Sequence, residues 1–182
     1  SGQTAVILGR GPIGEGIARV LQVFGVRTIT VGFNAALMSQ TVSESSTAKT
    51  IHLSQLAQVL PQAQWLVLAC PLSSETRNLI DQSAIDLLPN GAHIINIARG
   101  EIICEADLIA ALQNNKLSGA YLDVFASEPL DPHSPLWSMD NVIVTPHSAG
   151  HSAGNEARVL ELFVENLRLF IHGQVLKNQI AA

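Results

Sequence analysis

The sequence predicts a doubly wound α/β domain: a parallel sheet between two helical layers. Three observations predict it. Short apolar runs alternate with segments of helical periodicity from end to end, which implies βαβ units with both sheet faces covered. The first run ends in a glycine-rich turn that opens a helix. Of the 182 residues, 47% are hydrophobic and 14% charged, a balance that supports a packed core and argues against disorder.

Ala5–Leu8, closed by Gly9, reads as a buried strand. Ile13 to Phe24 places Ile13, Ile17, Val20, Leu21 and Phe24 at helical spacing, and the β-branched Arg27–Val31 is the second strand. Ser39–Thr50 is polar and rich in Ser and Thr, so a loop is expected. Ile51–Leu53 is a weak strand followed by an amphipathic turn through Leu60. Trp65–Ala69 is a buried strand stopped by Cys70-Pro71, and Ala92–Ile97 follows a Pro-Asn-Gly turn. Glu105–Gln113 is a helix with Leu108, Ile109 and Leu112 on one face. Ala120–Val124 and Val142–Val144 are late strands, and Ala157–Ile171 is an amphipathic helix. No repeat or low-complexity segment interrupts the pattern.

Composition narrows the function classes. The formal net charge is −5 and no basic cluster occurs, so nucleic acid is not an expected partner. No apolar run reaches the roughly 20 residues that span a bilayer, so no membrane partner is expected either. Cys70 and Cys104 lack metal-ligand spacing. Both are expected to be buried, reduced thiols, and no metal site is expected.

Gly9, Gly11 and Gly14 form GRGPIG between the first strand and the first helix. The first glycine allows the tight turn, the second lets backbone approach a pyrophosphate, and the third lets helix and strand pack closely. The helix start then offers unpaired N–H groups to the phosphates. Strand, loop and helix together make this the dinucleotide-binding signature of a Rossmann fold. The ribose-binding acid expected about 20 residues later is replaced by Asn34. Asn34 carries no charge to repel a 2′-phosphate, and no Arg or Lys follows before Lys49 to attract one. NAD and NADP both stay open, with NAD favoured.

NIARGEI at 96–102, DVFASEPL at 123–130 and TPHSAG at 145–150 place Arg99, Glu128 and His147 just beyond strand ends, where α/β sheets bind ligands. Taken singly, each reads as a surface cation, a loop acid and a turn residue. Taken with a dinucleotide loop, they form a set. A guanidinium clamps a carboxylate, a histidine moves a proton near neutral pH, and a neighbouring carboxylate orients that histidine and favours its charged form. Of the remaining histidines, His52, His93, His133 and His172 read as surface or strand-end residues, and His151 as non-catalytic.

These motifs, with CPLSSETRNLI at 70–80 and LSGAYLDVFASEPL at 117–130, resemble the D-isomer-specific 2-hydroxyacid dehydrogenases over nearly the whole chain. The resemblance implies hydride exchange between a nicotinamide cofactor and a small 2-keto or 2-hydroxy acid. It implies that Arg99 binds the substrate carboxylate, that His147 is the acid/base and that Glu128 is its partner. Pro12 and Ile13 would meet the pyrophosphate, and Asn34 the adenosine ribose. Pro71 and Thr76 would line the cofactor cleft, and Ile97 and Asp123 would hold the nicotinamide end. Asn34, Glu101 and Cys104 depart from the pattern. The related formate dehydrogenases would imply Gln in place of Glu128. Dehydrogenase-related co-repressors share the motifs, so a dinucleotide-sensing module is the alternative reading. The family's substrate domain is not expected within residues 1–182, so the chain alone is expected to be inactive. The parent is expected to be a cytoplasmic homodimer.

Overall fold

The computed structural model describes residues 2–33 and 48–179; Asn34 and most of the polar stretch after it fall outside them. The chain divides into two units, residues 1–147 and 148–182.

The first unit is built on seven parallel strands: β1 (Thr4–Leu8), β2 (Arg27–Gly32), β3 (Ala48–His52), β4 (Trp65–Leu68), β5 (Ala92–Asn96), β6 (Leu117–Leu122) and β7 (Val142–Val144). Their spatial order is β3-β2-β1-β4-β5-β6-β7. The chain winds outward from β1 through β2 to β3, then crosses back to β4 and winds the other way. The point of reversal leaves a crevice beyond the carboxyl ends of β1 and β4, the place where ligands bind in such sheets.

All five residues of β1 are buried, because it is covered on both faces. On one face α1 (Pro12–Val23) packs through Ala18, Ile17 and Leu21 on Ile7, Val67 and Ile95. The other face holds the larger core, where Val6, Leu8, Leu66, Leu68 and Ile94 meet residues of α2 (Leu56–Val59), α3 (Gln82–Leu87) and α4 (Glu105–Gln113). Lys116 Nζ ties the turn before β5 to the start of β6 by donating to the Leu88 carbonyl at 2.6 Å and to the Asp86 carbonyl at 3.1 Å.

Several elements depart from the sequence expectation. β3 begins at Ala48 rather than Ile51, because pairing with β2 from Thr28↔Ala48 to Gly32↔His52 extends a strand that its own residues signal weakly. Leu53 belongs to a 3-10 turn. β6 spans Leu117–Leu122 rather than 120–124. The helix α3 was not anticipated. Ile13, Val20 and Phe24 of the α1 stripe are exposed; small residues, Gly14 and Ala18, make the close contact instead. His93 lies within β5 rather than at a strand end, and its ring stacks on Trp65 with centroids 4.4 Å apart. Cys70 is buried, and burial pushes its thiol up to about 11 against a weaker opposing backbone hydrogen bond. Cys104 is only partly buried.

The second unit carries α5 (Asn155–Ile171), which begins two residues before the expected Ala157. Among the described residues, no helix is long and apolar enough to cross a membrane.

Candidate functional site

The glycine loop is held rigidly at two of its three glycines. Gly9 has φ +116, and a Cβ there would lie 2.3 Å from the Ala69 carbonyl oxygen; a Cβ on Gly14 would lie 2.0 Å from the Gly9 oxygen. Its anchoring hydrogen bonds join three strand ends: Gly9 N–H donates to Val31 O at 2.9 Å, and Ala69 N–H to Leu8 O at 2.8 Å.

Gly11 is different. Its backbone, φ −79 and ψ 178, is open to any residue, and among the described residues a Cβ there would meet nothing within 4 Å. None of the described residues requires glycine at this position. What fits is a bulky group outside the chain that approaches the backbone closely, as a pyrophosphate does. Gly11 is also the N-cap of α1, has no capping side chain and accepts at its carbonyl from Glu15 N–H at 3.0 Å. The loop thus fits a dinucleotide.

The other expected cofactor residues lie on the same edge of the sheet. Pro71 is exposed just past β4, Ile97 is half-buried past β5, and Asp123 is buried past β6. Thr145 Oγ donates to Asp123 Oδ1 at 2.5 Å. Thr76 is buried, and its hydroxyl accepts from Ser73 N–H at 2.7 Å and donates to Pro71 O at 2.9 Å. Its hydroxyl is therefore engaged in shaping the 71–76 turn.

Arg99, Glu128 and His147 come together beyond β5, β6 and β7. His147 Nδ1 and Glu128 Oε2 are 2.8 Å apart, and Phe125 N–H donates to the other carboxylate oxygen at 3.0 Å. Burial acts to raise the Glu128 carboxyl. The His147 hydrogen bond, the Phe125 amide and the charges of His147 and Arg99 outweigh burial and hold the carboxyl below its ordinary value. Glu128 is then an ionised acceptor, so Nδ1 of His147 carries a proton and Nε2 is left to face outward. His147 has φ +52, a left-handed conformation uncommon outside glycine. The Glu128 hydrogen bond holds the ring, and residues in such sparsely populated backbone regions gather at functional sites. An apolar cavity of about 300 Å³ adjoins the pair, walled by Phe125, Leu130, Trp137, Val144 and Pro146.

Arg99 is placed by a residue whose role sequence reasoning missed. Asn96 is buried at the end of β5; its amide donates to Arg99 O and its carbonyl accepts from Ala98 N–H, both at 3.0 Å. The available signal was a lone amide closing an apolar strand. Among the described residues, no cluster of His, Cys, Asp or Glu could hold a metal ion.

Residues 1–149 match the family model described as D-isomer specific 2-hydroxyacid dehydrogenase, NAD binding domain. The chain belongs to this family. Among its relatives, the glyoxylate reductase of Thermococcus onnurineus is 34% identical over 96% of this chain and 50% of its own length. That of Aeropyrum pernix is 33% identical over 98% and 52%. The structure of a family member from Xanthobacter autotrophicus Py2, in complex with NADPH and MES, superposes with a TM-score of 0.86. It shares 36% identity, covering 98% of this chain and 71% of the other. An NADPH-dependent glyoxylate/hydroxypyruvate reductase from Sinorhizobium meliloti, in complex with NADP and sulfate, also gives 0.86, at 32% identity over 98% and 55%. The chain spans about half the length of the curated relatives it matches.

Proposed function

We propose that this domain binds NAD or NADP and supplies the catalytic groups for reversible reduction of a small 2-keto acid to a D-2-hydroxy acid. The observation that carries the reading is the Glu128–His147 pair, 2.8 Å apart, on the same sheet edge as a glycine loop whose Gly11 no described residue requires to be glycine.

The nicotinamide, when bound, supplies or accepts the hydride. Arg99 holds the substrate carboxylate through a two-pronged guanidinium contact, which fixes the keto group in one orientation. His147 gives its Nε2 proton to the carbonyl oxygen during reduction and takes it back during oxidation. Glu128 accepts from Nδ1 and keeps the ring from turning. The Phe125 amide keeps Glu128 from turning in its place. Pro71, Thr76, Ile97 and Asp123 shape the cofactor's bed, Pro12 and Ile13 flank its pyrophosphate, and Asn34 meets its adenosine ribose. The relatives' remaining half would form the facing wall and choose the substrate. The exposed Val20, Val23 and Phe24 of α1 favour a homodimer, and a cytoplasmic location belongs to the same proposal. The reductases and dehydrogenases among the relatives do not favour the co-repressor alternative.

The test joins this chain to a substrate domain of the family and follows loss of reduced nicotinamide with a panel of 2-keto acids. Turnover that disappears in His147→Ala supports the reading. Wild-type turnover unaffected by that change defeats it.

A further inference from the structure

Thr145 opens the TPHSAG motif one residue beyond β7 and is tied to three segments. Its N–H donates to Leu122 O at 3.0 Å, which carries the pairing of β7 with β6 past the end of the strand. Its carbonyl accepts from His147 N–H at 3.1 Å across Pro146, so the turn that holds the proposed acid/base residue closes on it. Its hydroxyl donates to Asp123 Oδ1 at 2.5 Å and lies 3.0 Å from the Tyr121 hydroxyl.

The two backbone bonds could be made by any residue, whereas the hydroxyl bond asks for Thr or Ser. Asp123 is buried, and a buried carboxyl needs donors wherever its oxygens point. At 2.5 Å the contact has the length of a charge-assisted O–H···O bond, about twice as strong as a neutral one. The β-branched Thr145 side chain has few rotamers, and the Tyr121 hydroxyl gives it a second anchor. Asp123 follows β6 and His147 follows β7, and Thr145 is bonded to both.

We propose that Thr145 is a positioning residue for the nicotinamide end of the cofactor: its hydroxyl fixes the orientation of the Asp123 carboxyl, while its carbonyl holds the turn that carries His147. It touches neither cofactor nor substrate and acts through Asp123. The nicotinamide site and the acid/base residue are thereby spaced from a single residue. This inference deepens the cofactor reading above and rests on it.

The test pairs each dinucleotide with its truncated form lacking nicotinamide: NADH with ADP-ribose, and NADPH with 2′-phospho-ADP-ribose. Calorimetric titration of wild type, Thr145→Val and Thr145→Ser measures all four affinities. Thr145→Val should bind the dinucleotides about tenfold more weakly, the scale of losing one hydrogen bond to a charged group, and the truncated forms as tightly as wild type. Thr145→Ser keeps the hydroxyl and should bind nearly as wild type does. Equal losses for whole and truncated ligands mark a merely structural role and overturn the inference. So does no loss in Thr145→Val, or a serine variant as weak as the valine one. Wild type binding whole and truncated forms equally tightly overturns it too, because no nicotinamide contact is then present to be positioned. Each of these outcomes leaves dinucleotide binding intact. Wild type binding none of the four defeats the cofactor reading itself, and the role of Thr145 with it. Should Thr145→Val fail to fold, Thr145→Ala decides by the same comparison.

Discussion

Gly100 packs so closely on Phe125 that a Cβ added to it would lie 1.8 Å from the Phe125 carbonyl carbon and 2.0 Å from its oxygen. Gly100 follows Arg99 in the chain, and Phe125 N–H holds Glu128. One backbone contact therefore sets the spacing between the proposed carboxylate clamp and the proposed acid/base pair. Gly100→Ala should cost about 3 kcal/mol of stability, at the upper end of ordinary overpacking, because the obstacle is backbone. Gly16→Ala is the contrast. Gly16 lies in α1 with nothing among the described residues within 4 Å of the added carbon, and the change should add about 0.5–1 kcal/mol. Urea unfolding of both variants measures the difference.

The 182-residue chain should bind a nicotinamide dinucleotide and turn over 2-keto acids negligibly. Positioning accounts for roughly 7–11 kcal/mol of a barrier at best, and a cleft with one wall loses much of it. Fluorescence titration and a reduction assay on the same sample check both halves. Fast turnover by this chain alone would show that it needs no second wall.

In protein supplied with a substrate domain, His147→Ala should slow the chemical step roughly 10²–10⁴-fold, the range for losing a general acid/base. Glu128→Gln should slow the chemical step as well, since an amide that can turn its NH2 toward Nδ1 no longer holds the ring in one orientation. An unchanged rate would return Glu128 to the role of a loop acid. The pair also leaves its mark on the carboxyl. Glu128 is held below its ordinary 4.5, so the pair is intact above that value and is lost as pH falls through the depressed one. In His147→Ala the carboxyl should titrate at higher pH, measurable by carboxyl carbon NMR.

Asn34→Asp should shift cofactor preference toward NAD, because a carboxylate repels a 2′-phosphate and accepts from ribose hydroxyls. The ratio of NADH to NADPH affinities in the two variants is the measurement. An unchanged ratio would mean that Asn34 does not face the ribose.

Asp81 caps α3: its Oδ1 accepts from the Ser83 hydroxyl at 2.6 Å and from Ala84 N–H at 2.9 Å, and these bonds hold its carboxyl below its ordinary 3.8. Asp81→Ala should cost about 1 kcal/mol. Because the folded value is depressed, that contribution is present above the ordinary one and fades as pH falls through the depressed one. Thermal unfolding of wild type and variant should therefore converge in acid.

The fold was legible wherever local pattern and tertiary role agreed. Ala5–Leu8 is apolar throughout because β1 is covered on both faces, and GRGPIG lies where its glycines have separate mechanical duties. α3 escaped notice because six residues are too few to show a helical period, although Asp81 was a visible start signal. β3 owes its first residues to pairing with β2, which no local property of Ala48 or Lys49 announces. In the site, Arg99, Glu128 and His147 could be singled out because each follows an apolar strand. The contact of Gly100 with Phe125 and the left-handed backbone of His147 could not, since both arise from parts of the chain brought together only on folding.

The strand order also bears on how such a domain can change. The glycine loop belongs to the half of the sheet wound from β1 toward β3, whereas Arg99, Glu128 and His147 follow β5, β6 and β7. Substitutions at the proposed phosphate end of the dinucleotide and substitutions in the proposed acid/base pair therefore fall in separate stretches of sequence, while the proposed nicotinamide-end residues Ile97 and Asp123 share the second stretch. A lineage could exchange one redox currency for another without disturbing the acid/base pair, and an engineer could recombine the two halves at the crossover before β4.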